Sequence, residues 1–150
     1  MNTDVMFSSK TDLWATPMDF FKKLDNEFHF SLDPCANNEN HKCDKFFTKE
    51  MNGLSQDWSG ETVFCNPPYG RQIKDWVKKC HDEAMKPNTT VVMLIPARTD
   101  TQYFHDYIYH CAEIRFIKGR LKFGNSKNSA PFPSMVVIFD KNRNQVNHES

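Results

Sequence analysis

The stretch Thr62-Val63-Phe64-Cys65-Asn66-Pro67-Pro68-Tyr69-Gly70 decides how this chain is read. Val63-Phe64-Cys65 is a short apolar run, and it stops against two prolines, which lack backbone donors and cannot extend a central ladder. The chain therefore leaves the sheet at Asn66. From Gln72 to Met85, apolar side chains recur at Ile73, Trp76, Val77, Cys80 and Ala84, the spacing of one helical face. Residues 66–70 thus form a stiff loop between the carboxyl end of a strand and a helix, where open α/β sheets bind their ligands.

The residue types in that loop suit one kind of chemistry. An exocyclic amine on a nucleobase is a weak nucleophile because its lone pair is delocalised into the ring. A catalyst must accept its protons and draw the nitrogen towards tetrahedral geometry. Asn66 offers a side-chain carbonyl, and Pro67 and Pro68 offer a backbone carbonyl of fixed direction beside it. Tyr69 supplies a ring face for a base rotated out of a duplex, a contact worth about 1–3 kcal/mol by alanine substitution.

Working outward towards the amino end, Thr16 is a candidate N-cap and Pro17 suits a first helical position, with Met18, Phe21, Leu24 and Phe28 as the apolar face that follows. Phe28-His29-Phe30-Ser31-Leu32 alternates like a strand and ends at Asp33-Pro34-Cys35-Ala36-Asn37. A carboxylate at a strand end followed by small residues can bind a cationic or hydroxylated cofactor group; a turn cap is the alternative use. Residues 37–45 are polar and loop-like, Lys45-Phe46-Phe47-Thr48 is a short second strand, and Asn52-Gly53 is a turn. Trp58 is read as core or as a wall against a cofactor base.

Towards the carboxyl end, Thr89 to Pro96 is the most hydrophobic run and is expected as a central parallel strand. A helix is expected over Gln102–Cys111, and strands over Glu113–Ile117 and Ser134–Phe139. Alternation of this kind implies a mostly parallel sheet with helices on both faces, right-handed crossovers and an antiparallel carboxyl-terminal strand. The strand ends at Asp33, Asn66 and Pro96 would share one rim. Between the last two strands, Lys118 to Asn128 carries four Lys or Arg and no acid. Arg120 and Lys122 there, with Arg71, Lys74 and Arg98 nearer the catalytic rim, are candidates for phosphate contact; a solvated hairpin loop is the alternative.

The chain of 150 residues, 39% hydrophobic and 25% charged, suits one domain, expected over residues 13–140 with flexible segments at 1–12 and 141–150. Its net charge of zero means that any nucleic-acid contact is local. Thirteen Phe, three Trp and four Tyr exceed what one modest core needs, so some rings are expected at the surface. Five cysteines without a CxxC spacing read as reduced thiols of a cytosolic protein. Cys35, His41 and Cys43 lack the second pair a structural zinc needs, and no metal is expected. No apolar run is long enough to span a membrane.

The ordered set Trp14-Ala15-Thr16-Pro17, Leu32-Asp33-Pro34-Cys35-Ala36, Gly53-Leu54 with Trp58, Asn66-Pro67-Pro68-Tyr69-Gly70, Arg98-Thr99-Asp100-Thr101, Gly119-Arg120-Leu121-Lys122-Phe123 and Ala130-Pro131-Phe132-Pro133-Ser134 resembles the phage-type DNA N-6-adenine methyltransferases, a compact Dam-like family. The resemblance covers Trp14 to Phe139. It implies a Rossmann-like class I fold, S-adenosylmethionine as cofactor, DNA with a flipped adenine as partner, and a phage enzyme working in a host cytoplasm. By motif, Asn66, Pro67, Pro68 and Tyr69 match the catalytic loop, and Asp33, Pro34, Cys35 and Ala36 the cofactor-binding loop, with Asn66 facing the cofactor as well. Thr16 and Pro17 match the element that closes over its methionine end, and Asp57 a position near its adenine. The 33–36 loop lacks the glycine-rich sequence of larger methyltransferases, and Asp44 and Glu50 are the nearest acids for the ribose. So small a chain leaves little room for a recognition domain, so short or relaxed specificity is expected, read by loops 97–101 and 118–130. On the residues alone, cytosine-N4 or protein-glutamine methylation by the same loop stays open, as does a non-catalytic nucleic-acid-binding protein with this fold.

Overall fold

The computed structural model describes residues 15–124 and 129–141. The amino-terminal segment, Trp14, residues 125–128 of the basic stretch and the tail from 142 lie outside the described residues. Helix α1 (Met18–Phe28) leads to strands β1 (Leu32–Ala36), β2 (Lys45–Thr48) and β3 (Thr62–Cys65), helix α2 (Ile73–Ala84), and strands β4 (Thr90–Pro96), β5 (Glu113–Phe116) and β6 (Ser134–Phe139). A 3-10 turn at Gly53–Ser55 and a π-helical turn at Phe104–Ile108 complete it.

The strands form one sheet in the order β2-β1-β3-β4-β6-β5. β2, β1, β3 and β4 pair in parallel, and β6 runs antiparallel to both β4 and β5. Five strands therefore point the same way, and their carboxyl ends define one rim. The β4 run Val91-Val92-Met93-Leu94-Ile95 is fully buried, because its side chains alternate into two cores. One core packs Val91, Met93 and Ile95 against Trp76, Val77 and Cys80 of α2 and against the π turn; the other packs Val92 and Leu94 with Phe64 against Phe21 and Leu24 of α1. Burying each large apolar side chain stabilises the fold by about 1.5–3 kcal/mol, so covering both faces ties α1 and α2 to the sheet.

Three local expectations are corrected. Thr16 does not cap α1: Pro17 is the N-cap residue, no side chain caps the helix, and the Pro17 carbonyl takes the Phe21 amide. The strand expected at 28–32 begins only at Leu32. His29 turns left-handed (φ 58°) to close α1, Asp25 takes the Phe30 amide at 2.8 Å, and the rings of Phe28 and Phe30 stack at 5.7 Å. Their alternation is a helix-end staple. The helix expected over 102–111 is present but shorter, covering 102–108 and π-helical from Phe104 to Ile108, where the Tyr109 amide bonds the Phe104 carbonyl at 2.8 Å and Phe104 and Ile108 both reach the core. Pro34 lies inside β1, between two partner strands, and the β1–β2 register slips between Asp33 and Ala36, where it has no N–H to offer.

Candidate active site

The carboxyl ends of β1, β2 and β3 surround a cavity of about 790 Å³. Its walls are Thr16 before α1, the 33–37 segment, Thr48 and Lys49 at the end of β2, Asn52 to Leu54, the Asn66–Tyr69 loop, and Gln72 and Trp76 at the head of α2. The sequence separates these pieces by up to sixty residues; the parallel strand order brings them together.

Asn66 leaves β3 with its amide half-buried between two partners. Its Nδ2 donates to Thr16 Oγ1 at 2.9 Å, and the Tyr69 hydroxyl donates to its Oδ1 at 2.8 Å. That hydroxyl also lies 3.1 Å from the Leu94 carbonyl. The Tyr69 ring meets Phe123 and Phe132 edge-on, with centroids at 6.3 and 5.7 Å. Burial pushes the phenol well above its ordinary range, so the hydroxyl stays protonated and serves as a donor.

Asp33 is brought to the same wall, but both its oxygens already hold backbone. Oδ1 accepts the Cys35 amide at 3.2 Å, and Oδ2 accepts the Lys42 amide at 2.9 Å. Burial raises its pKa while those two amides and the Lys42 charge oppose the rise. The carboxylate thereby organises the 33–42 segment. Cys35 lies beside Cys65, sulfur to sulfur at 3.7 Å, and burial keeps the Cys35 thiol protonated. Gly53 is forced by close approach: a Cβ there would lie 2.4 Å from the Pro34 carbonyl oxygen and 3.0 Å from the Trp76 ring.

Thr16, Asp33, Pro34, Cys35, Ala36, Asn66, Pro67, Pro68 and Tyr69 thus line one cavity. Pro17 sits next to it as the helix cap. Asp57 does not line it; its carboxylate bonds Ser59 and Lys86 in an exposed turn, and those bonds hold its pKa low. Asp44 and Glu50 are absent from the walls as well, and Asp33 is the one carboxylate among the described lining residues. Arg71, Lys74, Arg98, Arg120 and Lys122 are all exposed, each following the carboxyl end of one of the five co-directional strands. The sequence reading did not assign Asn37, Asn40, Lys42, Thr48, Lys49, Asn52, Gln72 and Trp76 to the cavity. For Gln72 and Trp76 the signal was present, since positions i and i+4 at the start of a helix after the 66–70 loop face the rim. Trp58 is core, fully buried, with its indole N–H on the Gly53 carbonyl at 3.1 Å.

The family described as DNA N-6-adenine-methyltransferase (Dam) matches residues 4–148. The chain belongs to the DNA N-6-adenine-methyltransferase family. A DNA N-6-adenine-methyltransferase of Haemophilus phage HP1 (strain HP1c1) is 34% identical over 140 residues, covering 88% of this chain and 80% of the relative. One of Escherichia phage T1 is 36% identical over 112 residues, covering 73% of this chain but 46% of the relative, which is therefore much longer. The DNA N-6-adenine-methyltransferase match includes every cavity residue and every rim cation named above.

Proposed function

We propose that residues 13–140 form a Rossmann-like class I methyltransferase domain that transfers a methyl group from S-adenosylmethionine to N6 of adenine in DNA. Five co-directional strands, one antiparallel strand inserted between β4 and β5, and helices on both faces support the fold reading. The observation that carries the function is the placement of the Asn66 amide on the cavity wall, held between Thr16 and Tyr69 beside the Asp33–Ala36 segment of β1.

The cavity fits the cofactor in size, falling in the usual range of about 300–1,000 Å³ for small-molecule sites. It fits in chemistry too. The amides of Asn37, Asn40 and Asn52 can meet ribose hydroxyls, Asp33 being the one carboxylate among the described lining residues. Asp33, Pro34, Cys35 and Ala36 of β1 form one side, with Asp33 holding the Cys35 and Lys42 amides, and Thr16 and Pro17 close another. Bound there, S-adenosylmethionine supplies an electrophilic methyl group on a sulfonium.

The residues of the chain perform the rest. Oδ1 of Asn66 and the Pro67 carbonyl accept hydrogen bonds from the two N–H groups of the adenine amine, drawing its lone pair out of conjugation and onto the reacting face, and after the methyl has joined the nitrogen its surplus proton passes to water. Pro67 and Pro68 fix the direction of those acceptors, and the Tyr69 ring, backed by Phe123 and Phe132, is the platform for the extruded base. Arg71, Lys74, Arg98, Arg120 and Lys122 bind phosphates around the rim. Incubating the purified protein with S-adenosylmethionine and DNA, then identifying the modified nucleoside by mass spectrometry, tests this reading. N6-methyladenine is expected; N4-methylcytosine or no modified base would overturn it.

A further inference from the structure

An asparagine that accepts a hydrogen bond from an amine must present Oδ1 to it. Turned by 180° about its last side-chain bond, the same amide presents Nδ2, a donor facing a donor. Something must set that rotation. Thr16 is 5% exposed and stands immediately before α1, where a threonine hydroxyl ordinarily caps the helix; here no side chain caps it, and Thr16 Oγ1 instead accepts Asn66 Nδ2 at 2.9 Å. On the other side, the Tyr69 hydroxyl donates to Asn66 Oδ1 at 2.8 Å and has a second acceptor, the Leu94 carbonyl, at 3.1 Å.

We propose that Thr16 is a positioning residue for methyl transfer: by accepting Nδ2 it fixes the rotation of the Asn66 amide, so that Oδ1 faces the place of the target amine, which the Tyr69 hydroxyl holds until a base arrives. This rests on the adenine-methylation reading above. A phenol O–H and an amine N–H are both donors, so the hydroxyl marks where the amine binds. When the amine displaces it, the hydroxyl retains the Leu94 carbonyl as partner, and the exchange leaves no donor unpaired. Thr16 touches neither reacting atom in this role and acts through Asn66 alone.

The test uses the full chain with Thr16→Val, which is nearly isosteric and has no hydroxyl, and Thr16→Ser, which restores it. Thr16→Ala replaces the valine variant should valine fail to fold at this buried site. With DNA and S-adenosylmethionine saturating, the single-turnover rate of Thr16→Val is expected to fall about 10- to 100-fold, the loss of one anchored hydrogen bond in the transition state. Cofactor affinity by calorimetry is expected to stay within about threefold of wild type, and Thr16→Ser to recover the rate to within about threefold. An aspartate has two equivalent oxygens and needs no rotational setting, so in an Asn66→Asp background the valine substitution is expected to cost less than about threefold. An unchanged rate in Thr16→Val overturns the proposal, as does a loss that saturating cofactor cures, a serine variant as slow as the valine one, or an equal loss in the aspartate background. Wild-type protein that fails to methylate adenine refutes the underlying function instead, which keeps the two failures distinct.

Discussion

Substituting Gly53 by alanine tests whether the cavity wall is built by close backbone approach. The new Cβ would stand 2.4 Å from the Pro34 carbonyl oxygen and 3.0 Å from the Trp76 ring. Carbon–oxygen contacts relax at about 3.3–3.6 Å, so about 1 Å must be found by moving something. Gly53 itself is held, since its carbonyl accepts the Trp58 indole N–H at 3.1 Å from a fully buried ring. The movement therefore falls on Pro34 and carries Cys35 and Ala36 with it. Overpacking of this kind costs about 1–3 kcal/mol, or a fall in Tm of about 2–10 °C for a domain of this size. Because the displaced segment is the proposed cofactor wall, affinity for S-adenosylmethionine should fall about tenfold or more, equivalent to at least about 1.4 kcal/mol. Gly60→Ala is the control: its φ of +79° strains any side chain, but nothing lies within 4 Å of the new Cβ. It should lose about 1–2 kcal/mol of stability through that backbone strain and keep its cofactor affinity. Calorimetry and thermal melting on both variants decide the matter. A Gly53→Ala protein that binds the cofactor like wild type, or a Gly60→Ala protein that loses it equally, would refute the reasoning.

The remaining predictions are narrower. Reversing Arg120 and Lys122 to glutamate should weaken DNA binding and make the log–log salt slope shallower by about 1.8, two phosphate contacts at about 0.9 each; an unchanged slope places these residues outside the interface. Glu83, whose side chain is 6% exposed, accepts the Trp58 amide at 2.7 Å and pairs with Lys86 at 2.7 Å and Lys79 at 3.2 Å. Glu83→Ala should destabilise the fold by about 2–4 kcal/mol in chemical denaturation, since it strands a buried amide and removes the partner of two lysines. Burial alone would raise the Glu83 pKa, but the bonds from Lys86, the Trp58 amide and Lys79 outweigh it and hold the carboxyl below its ordinary value near 4.5. A depressed carboxyl stabilises fully above the unfolded value, and that contribution is lost as pH falls through the folded one, so the alanine variant should show a flatter acid limb between about pH 5 and the folded pKa. Equal acid sensitivity in both proteins would assign the limb to other groups.

Much of the sheet could be read from the chain because its strands are punctuated. Prolines end β3 and β4, the β2 run Lys45–Thr48 and the β6 run Ser134–Phe139 match their observed bounds, and the antiparallel last strand follows from the lack of a helix before it. The misreadings lie where local pattern yields to tertiary bonding. Phe28 and Phe30 alternate like strand residues but close a helix over Phe64, and Pro34 enters a central strand because a register slip absorbs its missing donor. Thr16 has a capping residue's sequence position and a different partner fifty residues away. The same limit applies to the cavity. Asn66–Tyr69 was legible as a strand-end loop and Asp33–Ala36 as part of the same wall, although residues 33–36 are the body of β1 and not a loop after it; Lys49, Asn52 and Trp76 join them only through the pairing order of β2, β1 and β3. Asp57, placed near the cofactor's adenine by the family resemblance, does not line the cavity, and its carboxylate is held by Ser59 and Lys86.

The central claim is that the Asn66 amide on the wall of this cavity accepts the hydrogen bond that orients the adenine amine for methyl transfer. It is tested most directly by single-turnover transfer of labelled methyl from S-adenosylmethionine to DNA, comparing wild type with Asn66→Ala at matched cofactor occupancy. Asn66→Ala is expected to lose about 10²–10³-fold in rate with cofactor binding nearly intact, the range for removing one preorganised hydrogen-bonding group at the reacting centre. Transfer to adenine at the wild-type rate by Asn66→Ala would contradict the claim.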